Sequence, residues 1–138
     1  MDRRWETPLY EQEVAFRQHA LESEQNARPL VIHCVRTLED ILRIHKEMQP
    51  QQPWIIHGFR GKPQQLQSLI SAGIYVSFGL RYNKESLLQC PLEMMFLETD
   101  DIAAPIESLY KEVAQLKGIP EETLKQKIWE NANKLFHL

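Results

Sequence analysis

Four short apolar runs punctuate the chain, at Leu30–His33, Trp54–His57, Ile74–Phe78 and Met94–Leu97. Their starts lie 24, 20 and 20 residues apart. The runs are nearly continuous rather than alternating, which is the pattern of strands covered on both faces. Stretches of helical periodicity separate them, and a parallel strand pair needs a crossover of about a dozen residues or more. The spacing therefore predicts parallel strands joined by helices, an α/β fold.

The helical stretches can be placed individually. A first helix is expected to open at Thr7, an N-cap followed by Pro8, with Tyr10, Val14 and Leu21 as its core stripe. In a second, Leu38, Ile41, Leu42 and Met48 share one face behind the cap Thr37. A third begins near Pro63, carries Leu66, Leu69 and Ile70, and stops before Gly73. A short fourth follows Asn83 and holds Leu87 and Leu88. After the last apolar run two helices follow one another, about Pro105–Lys117 and Glu121–Phe136, divided by Gly118 and Pro120. No low-complexity segment or linker interrupts the pattern, so residues 1–138 read as a single domain.

Composition narrows the function classes. Hydrophobic content of 43% and charged content of 25% suit an ordinary globular protein. A net charge of −3 gives no bulk attraction to nucleic acid or anionic lipid, so any phosphate contact must be local. Cys34 and Cys90 are far apart and form no metal-type pair, which implies reduced thiols and a cytoplasmic protein. The opening Met1–Glu6 has no signal-peptide core, and no apolar run approaches the roughly 18 to 20 residues of a membrane span.

Candidate chemistry gathers at the ends of the apolar runs. The first ends in His33, the second in His57, and the fourth leads into Glu98-Thr99-Asp100. Parallel α/β folds keep their active groups at the carboxyl ends of strands. Two imidazoles and a carboxylate there form a ligand set for a divalent ion such as Zn, Mg or Mn. Each group also has a plainer reading. One strand-end histidine alone is more often a satisfied core ring, and an arginine or backbone amides serve a buried aspartate as well as a metal does. The repetition of histidine at matching positions favours the metal.

Other residues are less specific. Glu98 points to the same side as Asp100, either supporting a ligand or pairing with a lysine. Asp101 reads as a solvated or helix-terminal acid. His45 shares an apolar face with Ile41 and Leu42, where packing is its role; His19 is helical and His137 terminal. Cys34 has no base placed beside it and reads as a buried, inert thiol. Arg60, between a strand end and a helix start in Gly58-Phe59-Arg60-Gly61-Lys62-Pro63, is a candidate anion contact, with a solvated loop arginine as its alternative.

Taken in order, the residues read Ile-His-Cys, Ile-His-Gly-Phe-x-Gly-x-Pro, Tyr-Val-Ser-Phe-Gly and Phe-Leu-Glu-Thr-Asp. The tail adds Val-Ala-x-Leu-Lys-Gly-Ile-x-x-Glu and Asn-Ala-x-x-Leu-Phe. This ordered set resembles the TatD family of metal-dependent deoxyribonucleases, amidohydrolase-like TIM barrels, over essentially the whole chain. The resemblance implies the second half of such a barrel: about four parallel strands with flanking helices and a C-terminal helical pair. It implies that His33 and His57 match the fourth- and fifth-strand ligands, and Asp100 the seventh-strand ligand and proton acceptor. The family's first-strand His-x-His and third-strand glutamate have no counterpart. Asp2 looks like the aspartate after the family's Gly-Glu-Ile-Gly-Leu segment.

Val35 stands where the family often has an arginine, with Arg36 beside it, and Arg60 replaces the serine of the fifth-strand loop. At both places the chain departs from the family's pattern, and Arg60 or Arg36 is the expected contact to the scissile phosphate. The implied activity is hydrolysis of phosphodiester bonds, with DNA or another phosphodiester as substrate. A truncated chain would need a companion N-terminal segment, or would associate with itself. A non-catalytic half-barrel is the alternative. A free-standing doubly wound domain ranks below both, because His33-Cys34-Val35-Arg36 is no phosphate-cradling glycine loop.

Overall fold

The structure is a computed structural model that describes residues 1–4, 6–99 and 105–137. Among these residues, strands β1 (Leu30–His33), β2 (Trp54–His57), β3 (Tyr75–Phe78) and β4 (Met95–Leu97) form one parallel sheet in the order β1-β2-β3-β4. Helix α1 (Leu9–Asn26) precedes β1, and α2 (Leu38–Met48), α3 (Pro63–Ser71) and α4 (Lys84–Gln89) link the strands in turn. A 3-10 turn, Leu92–Met94, leads into β4. Helices α5 (Ile106–Lys117) and α6 (Glu121–Phe136) close the chain, with Gly118 in the left-handed region between them. The parallel α/β arrangement expected from the spacing is the one observed.

The two faces of the sheet are unequal. Ile32, Trp54, Ile56, Val76, Phe78 and Met95 point outward into the main core. There Ile41, Ile44, Leu66, Leu69, Leu87, Leu109, Val113 and Leu124 from the helices cover them. On the inner face Ile55 and Tyr75 lie under Leu135 of α6, with Met94 and Phe96 beside them. Val31 on that face is 55% exposed, so β1 is covered on one side only, unlike the expectation for continuous apolar runs. Leu135 brings the last helix to the inner face, and Asn131, one turn earlier, anchors it. Its side-chain amide donates to the carbonyls of Leu92 at 2.7 Å and Met95 at 2.9 Å.

Helix α1 departs from the expected stripe. It begins at Leu9 behind Pro8, and Tyr10, Val14 and Leu21 are exposed rather than buried. The inward face is instead Gln12, Phe16, Ala20 and Ser23, which recurs at the helical period of about 3.6. Phe16 meets the Trp54 ring edge-on, with centroids 5.3 Å apart. Gln12 is inward because it has a backbone to hold: its Oε1 accepts from the Asp2 N–H at 2.7 Å, and its Nε2 donates to the Asp2 carbonyl at 2.9 Å. Counting apolar residues alone favoured the wrong side of this helix. In α4, Leu87 is buried as expected but Leu88 is 44% exposed.

The segment Met1–Arg3 runs alongside the end of β1. Asp2 and Val35 form a parallel bridge, closed by Val35 N–H to Met1 O at 2.9 Å and Arg3 N–H to Val35 O at 3.1 Å. No helix among the described residues is long and apolar enough to cross a membrane.

Candidate functional site

His33 and His57 are the last residues of adjacent strands and face each other across the ladder in matched register. Side chains at paired positions of parallel strands project to the same face, so both imidazoles stand on the inner face at the carboxyl edge of the sheet. Around them opens a cavity of about 580 Å³, whose lining includes Arg3, Arg4, Arg36 and Arg60. Two local backbone turns shape it. Arg36, three residues past His33, and Gly58, directly after His57, are both in the left-handed region. Glycine adopts that conformation without strain, whereas Arg36 holds it against its side chain.

His57 is held from behind. Its Nδ1 lies 2.9 Å from Glu98 Oε2, and the same oxygen accepts from Ser77 Oγ at 2.5 Å. The second oxygen, Glu98 Oε1, is buried with no hydrogen-bond partner among the described residues. The sequence left Glu98 open between supporting a ligand and pairing with a lysine; the structure gives it a histidine and a serine.

His33 has a neighbour that the sequence did not assign to the site. Asp2 is fully buried, and its Oδ2 stands 3.5 Å from His33 Nε2. Arg4 grips the same carboxylate through Nε at 3.1 Å and Nη2 at 2.9 Å, a bidentate pair. Hydrogen bonding from that guanidinium holds the Asp2 carboxyl well below the usual carboxylate range, against the opposing effect of burial. The sequence signals were an acid followed by two arginines and its likeness to the aspartate after the family's Gly-Glu-Ile-Gly-Leu segment, neither of which gave it a partner. A single bridge residue leaves no periodicity, so Asp2 does not read as part of a strand.

The arginines of the cavity are not equivalent. Arg4 is engaged by Asp2, and Arg3 by Asp40 at 2.7 Å. Arg36 and Arg60 form no ion pair among the described residues and line the same cavity as the histidines. Guanidinium groups with no carboxylate partner among the described residues, at the edge of a cavity, are suited to binding an anion. One other expectation is met, the packing role of His45: it lies edge-on against Trp54 with centroids 4.8 Å apart, and burial lowers its pKa; Cys34, expected to be buried, is not. Cys90 is buried, which pushes its thiol up to about 12, while Cys34 lines the cavity partly exposed.

Asp100, the third expected ligand, and Asp101 lie outside the described residues. Among the described residues no three His, Cys, Asp or Glu side chains group closely enough to hold an ion. The donor chemistry nonetheless suits a divalent cation. It offers two imidazoles in register, one of them beside a carboxylate whose second oxygen is buried with no partner among the described residues, and a second buried carboxylate beside the other.

Comparison with known proteins bears on this geometry. The chain is 26% identical over 128 residues to an uncharacterized metal-dependent hydrolase of Haemophilus influenzae, covering 78% of this chain and 49% of that protein. It is 29% identical over 158 residues to the human 3'-5' RNA nuclease TATDN2, covering 96% of this chain and 21% of the relative. A crystal structure of a TatD homolog from Escherichia coli superposes with a TM-score of 0.88 at 19% identity, over 100% of this chain and 61% of that one. At that identity the match speaks for the fold alone. The chain thus spans about half the length of the Haemophilus relative and a fifth of the human one. The TatD related DNase family model matches residues 1–137, and the chain belongs to that family.

Proposed function

We propose that these 138 residues carry one half of a metal-dependent phosphodiesterase site of the deoxyribonuclease type, working on DNA or a related phosphodiester. The observation that carries the reading is the register pairing of His33 with His57 over a cavity that also presents Arg36 and Arg60. In this reading His33, His57 and Asp100 hold a divalent ion. Such an ion would supply Lewis-acid charge at the phosphoryl oxygen and bring the pKa of a water toward about 7. Asp100, the anionic member of the set, also accepts the proton of the attacking water. Arg60 and Arg36 hold the scissile phosphate, Arg60 from the loop after β2 and Arg36 from the left-handed turn after β1. Glu98 and Asp2 keep the two imidazoles in place.

The remaining ligands come from outside these residues, whether from a longer chain or from a companion. Two facts favour this over a self-sufficient unit. The curated relatives are longer than the matched region, and the β1 side of the sheet leaves Val31 exposed. The same facts keep a second reading in play, a half-barrel that binds but does not cut. A cleavage assay separates the two: the half-site predicts weak, metal-dependent cutting, and the non-catalytic module predicts none at any protein concentration. Labelled single-stranded DNA and RNA are incubated with the protein and Mn²⁺, Mg²⁺ or Zn²⁺, beside His57→Ala and Arg60→Ala variants. Metal-dependent cutting that both variants lose supports the hydrolase. Binding without cutting in every metal favours the non-catalytic module.

A further inference from the structure

Three consecutive strands converge on one carboxylate. Ser77 comes from β3, His57 ends β2, and Glu98 follows β4. Glu98 N–H donates to the Phe78 carbonyl at 3.0 Å, which fixes the backbone from which its side chain projects. The carboxylate then uses a single oxygen for both partners, Ser77 Oγ and His57 Nδ1, while its other oxygen is buried with no hydrogen-bond partner among the described residues. Leaving a buried carboxylate oxygen unpaired is costly. A side chain that served packing alone would incur that cost with no return. The arrangement makes sense if holding the imidazole in one orientation is what the carboxylate is for.

We propose that Glu98 is a positioning residue for His57. It accepts the Nδ1–H, which selects one of the two neutral tautomers and makes Nε2 the ring nitrogen with a lone pair to offer at the cavity. Ser77 Oγ holds the accepting oxygen in place, so rotation of the ring takes Nδ1 away from an acceptor that is tethered and does not follow it. The inference rests on the metal reading above for what Nε2 donates to, but the tautomer itself is a property of the metal-free chain.

The test is therefore split. Long-range ¹H–¹⁵N correlation of the ring nitrogens is recorded on labelled, metal-free protein at about pH 8.5, above the ordinary imidazole pKa of about 6.5. Zn²⁺ affinity is then measured on the same samples. Wild type should show His57 as a single Nδ1–H tautomer. Glu98→Leu, which keeps bulk and removes the acceptor, should give a tautomer mixture and a Zn²⁺ affinity about 10- to 100-fold weaker. Glu98→Gln keeps a carbonyl acceptor and should restore most of the Nδ1–H signal. An unchanged His45 ring signal reports that each variant is folded. Should Glu98→Leu not fold, Ser77→Ala loosens the same oxygen and should broaden the His57 signals. A wild-type ring in the Nε2–H form overturns the proposal, as does a Glu98→Leu protein with wild-type tautomer and affinity. If the tautomer follows Glu98 and no ion binds even to wild type, the positioning role stands and the metal reading falls.

Discussion

His33 and His57 are register partners in the ladder between β1 and β2. Neighbouring strands are about 4.8 Å apart, so the pairing sets the two imidazoles side by side before any side-chain detail is considered. Register also makes the relationship fragile. A slip of one residue would turn one histidine to the outer face, into the core beneath the helices. The flanking pairs Val31 with Ile55 and Ile32 with Ile56 oppose such a slip, because it would also bring Ile32 or Ile56 out of that core.

The phosphate contacts can be tested one at a time. Arg60→Ala should weaken binding of a labelled oligonucleotide about equally for every sequence and lower the salt dependence of binding by roughly one phosphate contact. Arg36 is best replaced by asparagine, which tolerates the left-handed backbone that alanine does not. Anisotropy titrations across a range of salt concentrations measure both. A variant with the wild-type salt slope would remove that arginine from the site.

The inward face of α1 makes a stability prediction opposite to the one from apolar counting. Phe16→Ala should cost about 3 to 5 kcal/mol, because it empties the space beside Trp54. Tyr10→Ser and Val14→Ser, at exposed positions, should each change stability by no more than about 0.5 kcal/mol. Urea denaturation of the three variants distinguishes the faces directly.

Stability should fall as pH drops through the histidine range. Burial against Trp54 lowers the His45 pKa below its unfolded value, so between the two values the unfolded chain binds more protons than the folded one. Stability contributed by the neutral ring is therefore complete above about pH 6.5 and declines below it. Denaturation midpoints compared at pH 7.5 and pH 5.5 should differ less in His45→Gln than in wild type. Equal differences would place the effect on another group.

Much of this molecule was legible in the sequence, and for identifiable reasons. Short continuous apolar runs such as Trp54–Ile56, recurring about every 20 residues between helical stretches, suit strands of a parallel sheet, and Gly118 and Pro120 mark a helix break by their backbone chemistry. The strand-end positions of His33 and His57 followed from the same runs. What stayed hidden was set by contacts between distant segments. Asp2 enters the site through one bridge to Val35, and Gln12 turns inward to serve that bridge, which no local period encodes. Glu98 was ambiguous because alternation gives its side but not its partner, and the partners come from two other strands.

The central claim is that His33 and His57 together hold a divalent ion, and calorimetric titration of the 138-residue chain with Zn²⁺ tests it most directly. The account predicts at most one ion per chain, bound weakly because two imidazoles and one carboxylate leave part of its coordination open. That binding should be weakened further in Asp100→Asn and lost in the His33→Ala/His57→Ala double variant. Two tight sites per chain, or binding that survives loss of both histidines, would contradict it.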